Sequence, residues 1–270
     1  MPSARRPLFA IRTRIVALVA AALLTAAPSW ATCTIKQVVS FPTAGTMGCP
    51  AGNQCTLGPF SATTAGSTLA LGFGIQGNGY SNHQVRISSA YTCSSNPPCD
   101  PTNGNVIDSF SILSNHMCAV FYSSHSVDCA YVIAGVGGAT YLTINTTDTV
   151  QLNRWFPSMA EAQSSTGTQT FDTEGTAQNT TTSTTQPGAT LTLGGANDFI
   201  FQIIDAGGGE SQITPDASCS GQTYSGLFDD HYGAAYSLNT SCGAAPSWTC
   251  TGNMGMCASA GVSGAIAFKE

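Results

Sequence analysis

Short stretches in which apolar and polar side chains alternate, or in which β-branched residues cluster, recur along the chain after residue 36. Each is bounded by Gly, Pro, Asn or Ser, which favour turns, so each predicts a strand. The predicted strands are QVVSF at 37–41, STLALGFGI at 67–75, HQVRIS at 83–88, NVIDSFSI at 105–112, MCAVFYS at 117–123, CAYVIAGV at 129–136, ATYLTIN at 139–145, ATLTLGG at 189–195, NDFIFQII at 197–204, YGAAYSL at 232–238 and SGAIAFK at 263–269.

The absence of a sustained helical period decides the fold class. Only RWFPSMAEA at 154–162 hints at a helix, and Pro157 would limit it to a turn or two. Strands without crossover helices exclude a parallel α/β fold and predict an all-β, two-sheet antiparallel sandwich of jelly-roll type. NDFIFQII is apolar on both sides, so we predict it to be a central strand.

The first 31 residues have the pattern of a secretory signal peptide. Four arginines precede an uncharged run at 15–27, and the small residues Ser29 and Ala31 then form a cleavage pattern. The run is too short to span a bilayer, so no transmembrane segment is expected once the leader is removed.

We expect residues 32–270 to form one β-sandwich domain that includes the Thr-rich part at 163–192. The expected location is secreted or extracellular, with the periplasm and the cell surface as alternatives.

The charge of the mature chain restricts its partners. Residues 32–270 keep four basic against fourteen acidic residues, which leaves a net charge of −10. Nucleic-acid binding and polybasic attachment to lipid both need clustered Lys and Arg, so neither is predicted.

All eleven cysteines follow residue 31, where an exported chain would be oxidised. The short segments CPAGNQC and CSSNPPC each predict a disulfide that closes a short loop. Pairing the later cysteines with their neighbours in sequence extends this pattern along the chain. This scheme pairs Cys49 with Cys55, Cys93 with Cys99, Cys118 with Cys129, Cys219 with Cys242, and Cys250 with Cys257. Cys33 is left over, so it would be lipidated, would bridge to another chain, or would belong to a different pairing. No CxxC pair is present to suggest zinc.

Six of the predicted segments follow one another in a recognisable order: AGSTLALGFGI, CAVFYSS, YVIAGVGG, GGANDFIFQII, AAYSL and GAIAFKE. This order resembles a group of secreted bacterial β-sandwich proteins of jelly-roll, concanavalin-like type, over roughly residues 65–270. The resemblance implies the fold and export, and it transfers no catalytic residue. The cysteine staples are not a feature of that group.

The densest cluster of chemical groups is DDH within LFDDHYGAAY, at Asp229, Asp230 and His231. Adjacent side chains on a strand point to opposite faces, so the two aspartates could act together only in a loop. As a loop the segment could bind calcium or orient a sugar, and otherwise it is an acidic turn before a strand.

FDTEG at 171–175 is the second candidate. Asp172 and Glu174 alternate, so on a regular strand they would share one face, as carboxylates do in jelly-roll glucanases. Thr170 stands where such a strand would carry a third carboxylate, so the pair is only a weak candidate for glycoside hydrolysis.

Other catalytic patterns are missing from the sequence, since it has no G-x-S-x-G elbow and its four histidines lack metal-ligand spacing. Aromatic residues near loops, above all Trp155 and Trp248, could instead stack on a sugar. The sequence favours a secreted, non-catalytic binding or surface module, with polysaccharide or a cell-surface component as partner and no cofactor other than calcium. The alternatives are a jelly-roll glycoside hydrolase and a structural or adhesive surface subunit.

Overall fold

Antiparallel β-strands make up most of the described chain. The computed structural model describes residues 32–40, 49, 51–76, 85–95, 97–113, 118, 120–122, 125–150, 155–180, 183, 185–195, 197–205, 211–216, 225–228, 232–240, 247–252 and 261–270. Within these ranges the only helical element is a 3₁₀ turn at Pro101–Asn103, capped by Asp100. The strands are β1 (Cys33–Ser40), β2 (Gly52–Leu57), β3 (Thr68–Gln76), β4 (Ile87–Cys93), β5 (Val106–Ser109), β6 (Ser111–Ile112), β7 (Val120–Tyr122), β8 (His125–Val132), β9 (Tyr141–Val150), β10 (Trp155–Ser164), β11 (Thr170–Asn179), β12 (Thr185–Gln186), β13 (Asp198–Asp205), β14 (Ser211–Asp216), β15 (Ser225–Phe228), β16 (Tyr232–Thr240), β17 (Ser247–Gly252) and β18 (Gly261–Lys269).

The described strands form four sheets. Sheet I has the order β2-β9-β4-β5, and sheet II has the order β1-β10-β3-β8-β6 with β7 also paired to β8. Sheet III has the order β11-β18-β13-β16-β15, and sheet IV has the order β12-β17-β14. The all-β class is confirmed, but the sequence predicts two sheets and the described strands form four. Residues Thr32–Glu270 form one compact unit.

The central strands of sheet II, which are β10, β3 and β8, are buried on both faces. On β3, Leu69, Leu71 and Phe73 point toward sheet I and join a core that includes Leu142 and Ile144 of β9. The alternate residues of β3 and β10, such as Ala70 and Ala160, point toward sheet III. This strand pattern alternates large with small rather than apolar with polar, because neither face meets water.

Close packing between sheets II and III depends on the small residues of β3. A methyl group added at Gly72 would lie 2.8 Å from Cβ of Ile203 and 2.8 Å from Cε1 of Phe201. The large side chains of β13 therefore occupy the space that Gly72 leaves open. As predicted for NDFIFQII, β13 is central, with β18 on one side and β16 on the other, and all its side chains are buried.

The outer face of sheet III is also covered. Residues 189–195, which we call the covering segment, place Ala189, Leu191 and Leu193 against an apolar cluster on β13 and β18. The sequence predicts a strand here, but apart from one bridging residue the covering segment is irregular. Farther along the same face, Trp248 of β17 packs against Gly233 of β16.

Buried carboxylates fix the loops at the edges of sheets I and II. Glu161 accepts hydrogen bonds from the Thr64 amide at 2.5 Å and from the Ser67 hydroxyl at 2.9 Å. Asp128 accepts from the amide of Ile87 at 2.8 Å, and Asp108 accepts from the amide of Val136 at 2.8 Å. These acids are buried because backbone and hydroxyl donors of the protein replace water.

Three of the predicted disulfides are confirmed: Cys49–Cys55, Cys93–Cys99 and Cys118–Cys129. The other predicted pairs involve Cys219, Cys242 and Cys257, which lie outside the described residues, and Cys250, whose side chain is likewise not described.

The segment RWFPSMAEA is a strand rather than a helical turn. It contributes most of β10, which pairs with β1 over residues 158–164 and with β3 over residues 155–162. The Thr-rich part at 163–192 contains β11, which pairs with β18. Among the described residues, no helix is both long and apolar enough to cross a membrane.

The close contact at Gly72 leads to a stability prediction. Gly72→Ala should lower the free energy of unfolding by about 1–3 kcal/mol, because Ile203 and Phe201 must move to admit the methyl group. Urea denaturation measures the loss. Gly135→Ala is the matched control, since its added methyl would meet no atom closer than 3.4 Å. Equal stability of the two variants would contradict the proposed packing.

Candidate functional site

A β-bulge separates the two carboxylates of FDTEG. The pairing of β11 with β18 shifts between Phe171 and Thr173, so Asp172 is the extra residue. Such a bulge reverses the alternation of side chains beyond it. Asp172 therefore points to the outer face of sheet III and Glu174 to the inner face, and the expectation that they share one face is wrong.

The contacts of Glu174 show its direction. Its Oε2 accepts a hydrogen bond of 2.9 Å from the amide of Cys118, which lies in the core between sheets II and III. Burial, and then the charge of Glu174, raise the pKa of Tyr131, whose ring stacks on Phe171 in the same core. Glu174 therefore acts as an acceptor for a buried loop amide.

Asp172 lies with other ionisable residues on the outer face of sheet III. Its Oδ2 accepts from the amide of Gly194 at 2.5 Å, and Lys269 Nζ lies 3.3 Å from its Oδ1. Asp198, the first residue of β13, is fully buried, and neither of its carboxyl oxygens has a hydrogen-bond partner among the described residues. Both carboxyl groups are enclosed, so neither presents an oxygen to a substrate.

Trp155 and Trp248, predicted as sugar-stacking residues, are fully buried. The Trp155 ring packs against Phe73 in the core between sheets I and II, with ring centroids 5.3 Å apart. Trp248 packs on Gly233 of sheet III. Both rings serve packing here, because a stacking residue needs a face that is open to the ligand.

The predicted loop Asp229, Asp230 and His231 lies outside the described residues, between β15 and β16. Within the described ranges, no three His, Cys, Asp or Glu side chains come together as a metal site.

Cys33, the first residue of β1, lies in the core between sheets II and III. Nε2 of Gln169 lies 3.2 Å from its Sγ. Burial, and then the charge of Glu270, raise the pKa of the Cys33 thiol to about 12. Acylation or a disulfide to another chain needs an accessible thiolate, so β1 would first have to open.

The outer face of sheet I carries a row of neutral polar side chains that crosses three strands. Asn145 of β9 lies opposite Gln54 of β2 and Ser89 of β4. Gln54 Nε2 donates to Asn145 Oδ1 at 2.9 Å, and Asn145 Nδ2 donates to Ser89 Oγ at 2.9 Å. We call this row the amide ladder.

A second row runs beside the amide ladder. Thr143 of β9 lies opposite Thr56 of β2 and Tyr91 of β4, and Tyr91 lies opposite Ser109 of β5. The Cys93–Cys99 loop closes over part of this row, since the amide of Cys99 donates to Thr143 Oγ1 at 2.8 Å. Tyr91 is half-buried and is the aromatic residue nearest the ladder in the strand register.

The chemistry of this face follows from its composition. The outward side chains of the two rows are amides, hydroxyls and a phenol, without a charge. With strands about 4.8 Å apart, the amide ladder over three strands is roughly 10 Å long and the second row over four strands is roughly 14 Å long, which accommodates a short oligosaccharide rather than a single sugar. The face can therefore exchange hydrogen bonds with a hydroxyl-rich ligand and offer one aromatic edge.

Sequence reasoning pointed to aromatic residues near loops without singling out Tyr91, and it missed the amide ladder. Each ladder residue comes from a different strand, separated by 35 or more positions along the chain. Only the strand register brings them together, so no local sequence signal could have indicated the row.

His125 and Asp205 form a buried pair between sheets II and III. His125 Nδ1 lies 2.8 Å from Asp205 Oδ1, and both side chains are buried. Burial by itself lowers the pKa of His125, but the charge of Asp205 and the hydrogen bond to it raise the pKa above its ordinary value of 6.5. The pair links β8 of sheet II to β13 of sheet III.

No protein-family model matches the chain, and no curated protein matches it either. Function is therefore inferred from the geometry of the described residues.

The His125–Asp205 pair should make stability depend on pH. A histidine whose folded pKa is raised adds stability that is complete below its unfolded pKa, about 6.5, and is lost as the pH rises through the folded value. Asp205→Asn should therefore cost about 3–5 kcal/mol at pH 5.5, where it leaves a buried imidazolium without its counter-charge, and less at pH 8.5.

Urea denaturation of wild type and variant at both pH values measures this cost. Asp100→Asn is the control, because asparagine also caps the 3₁₀ turn that Asp100 caps. A cost for Asp205→Asn that is the same at both pH values would contradict the ion pair.

Proposed function

We propose that the chain, after removal of residues 1–31, is an extracellular module that binds neutral polysaccharide on the outer face of sheet I. It holds the glycan without cleaving it.

The observation that carries this proposal is the amide ladder with Tyr91 beside it. Gln54 is exposed, and Asn145 and Ser89 are partly exposed, so their remaining hydrogen-bonding capacity faces solvent. The hydrogen bonds between Gln54, Asn145 and Ser89 restrict their rotamers before any ligand arrives, which reduces the entropy lost on binding. An uncharged face favours an uncharged ligand.

Export is supported by the three disulfides, which form and persist in oxidising compartments. Polysaccharides are abundant ligands outside the cell. The secretory leader predicted at residues 1–31 and the sparse charge of the surface agree with the same location.

The hydrolase alternative loses the carboxylates that the sequence nominated for it. Retaining and inverting glycosidases both need two carboxyl groups that flank one bond. Asp172 and Glu174 point to opposite faces of sheet III, and each accepts a hydrogen bond from a loop amide. The adhesive alternative relied on Cys33, which is buried.

A jelly-roll arrangement remains part of the proposal for the fold. Sheets II and III, which pack face to face, are the pair that would form such a sandwich, with sheets I and IV as additional layers.

Polysaccharide binding should depend on Tyr91 and on the amide ladder. Tyr91→Ala and Gln54→Ala should each weaken binding about tenfold, or about 1.4 kcal/mol, through loss of ring contact or of a hydrogen-bond donor. Affinity electrophoresis through gels that contain soluble neutral glucans or mannans measures the retardation.

Gln178→Ala is the matched control, because Gln178 is an exposed glutamine on β11 of sheet III. It should migrate as the wild type does. Retardation of the wild type that neither Tyr91→Ala nor Gln54→Ala reduces would contradict the site. Release of new reducing ends from the same glycans would contradict the non-catalytic role.

A further inference from the structure

Gln169 points into the core between sheets II and III, where Cys33 lies. Residues 165–168, which connect β10 of sheet II to β11 of sheet III, are all exposed, yet Gln169 directly after them is only 3% exposed. Cys33 is 2% exposed. Glutamine is mostly an exposed residue, so its inward direction here needs a physical reason. Neither residue belongs to the amide ladder or to the second row beside it.

The printed contact of the Gln169 side chain is with the thiol of Cys33, because Nε2 lies 3.2 Å from Sγ. An amide C–N bond is about 1.33 Å long, so Cδ of Gln169 lies at most about 4.5 Å from the same sulfur. A small rotation of the side chain would bring the two atoms to the roughly 3–3.5 Å from which a nucleophile attacks a carbonyl carbon. A nucleophile and an amide carbon are therefore held together inside the protein.

The carbonyl oxygen of Gln169 is enclosed in the same place. Oε1 is buried and has no hydrogen-bond partner among the described residues. A buried amide with an unused acceptor is destabilising, because its lost hydration is not replaced. A thioester has no N–H donors, and its carbonyl is a weaker acceptor than that of an amide. Replacing the amide with a thioester would therefore leave fewer unsatisfied polar groups in the core.

Glu270 lies at the same end of the strand pair. Thr170 pairs with Lys269, and Gln169 and Glu270 are the next residues along the two strands. Both side-chain oxygens of Glu270 are buried without a hydrogen-bond partner in the part of the chain that the structure describes. Burial, and then the charge of Glu270, raise the pKa of the Cys33 thiol to about 12. The thiol therefore keeps its proton until a reaction moves it.

We propose that Cys33 and Gln169 condense to an internal thioester that tethers β1 to the start of β11. The Sγ–Cδ bond forms, the Cδ–Nε2 bond breaks, and Nε2 leaves as ammonia that carries the proton of the thiol. This acyl transfer needs no oxidant, reductant or further reactant. Proximity accelerates it, since the two groups are already in contact. Escape of ammonia to solvent drives it, and burial of both residues protects the product from water.

The cysteine count agrees with this assignment. Eleven cysteines cannot all pair within one chain, and the local pairing scheme leaves Cys33 over. In an oxidising compartment, a sulfur that is held in a thioester cannot take part in disulfide exchange. The thioester is also an activated acyl group. A primary amine that reaches it on unfolding takes the acyl group of Gln169 and releases the thiol of Cys33.

Mass spectrometry of residues 32–270, folded under oxidising conditions, tests the proposal. The disulfides are reduced with a phosphine at acid pH, which leaves thioesters intact, and the chain is digested with pepsin. The wild type should yield a peptide from β1 joined to a peptide that contains Gln169, lighter than the two together by one ammonia. Unfolding in urea with methylamine should instead give separate peptides, with Gln169 as its N-methylamide and Cys33 as a thiol.

Two variants identify the bond, and a third is the control. Cys33→Ala and Gln169→Glu should give separate peptides of full mass, the second because a carboxylate has no ammonia to release. Gln163→Ala should keep the cross-link, since Gln163 lies opposite Thr34 but its side chain donates to the carbonyl of Ala65. A wild type in which Gln169 keeps its amide and Cys33 is a thiol or a disulfide would overturn the proposal. A cross-link that survives Gln169→Glu would overturn it as well.

Discussion

Burial of sheet II on both faces is the constraint on which the rest of the structure depends. A sheet covered on both sides cannot use alternation of apolar and polar residues, so β3 alternates large Leu69 and Leu71 with small Ala70 and Gly72. The large residues fill the core toward sheet I. The small ones let the side chains of β13 approach closely, and this fixes the position of sheet III and of the groups at both ends of β13.

The sequence identifies elements whose local pattern matches their environment. NDFIFQII is apolar on both sides and is central in sheet III, and the short cysteine loops are closed as expected. It fails where the environment is set by distant residues. SMAEA in β10 reads as helical because Ala, Met and Glu favour helices, yet pairing with β1 and β3 overrides that preference. The polar Glu161 within it is tolerated because the loop around Thr64 supplies donors.

The candidate site was harder to predict for a related reason. In a sparsely charged chain, acidic residues suggest a catalytic or binding site. Among the described residues, however, Asp108, Asp128 and Glu161 accept hydrogen bonds from buried donors in place of water. A one-residue bulge sends Asp172 and Glu174 to opposite faces, and its position is set by pairing with β18 rather than by FDTEG itself. The amide ladder contains no charged residue and no motif, so only the register of sheet I reveals it.

Two buried aspartates lie at opposite ends of one strand. β13 begins at Asp198 and ends at Asp205; their separation is odd, so they point to opposite faces of sheet III. Asp198 is buried beside Gly195 on the outer face, and Asp205 contacts His125 on the inner face. The pair of His125 and Asp205 holds a proton more tightly in the folded chain than in the unfolded one, so a rise in pH weakens the contact at that end of β13. The amide ladder on sheet I has no ionisable group in that pH range, and sheet II separates it from sheet III. The proposed glycan binding on sheet I and the expected pH response of the pair of His125 and Asp205 therefore rest on different residues and different physical forces.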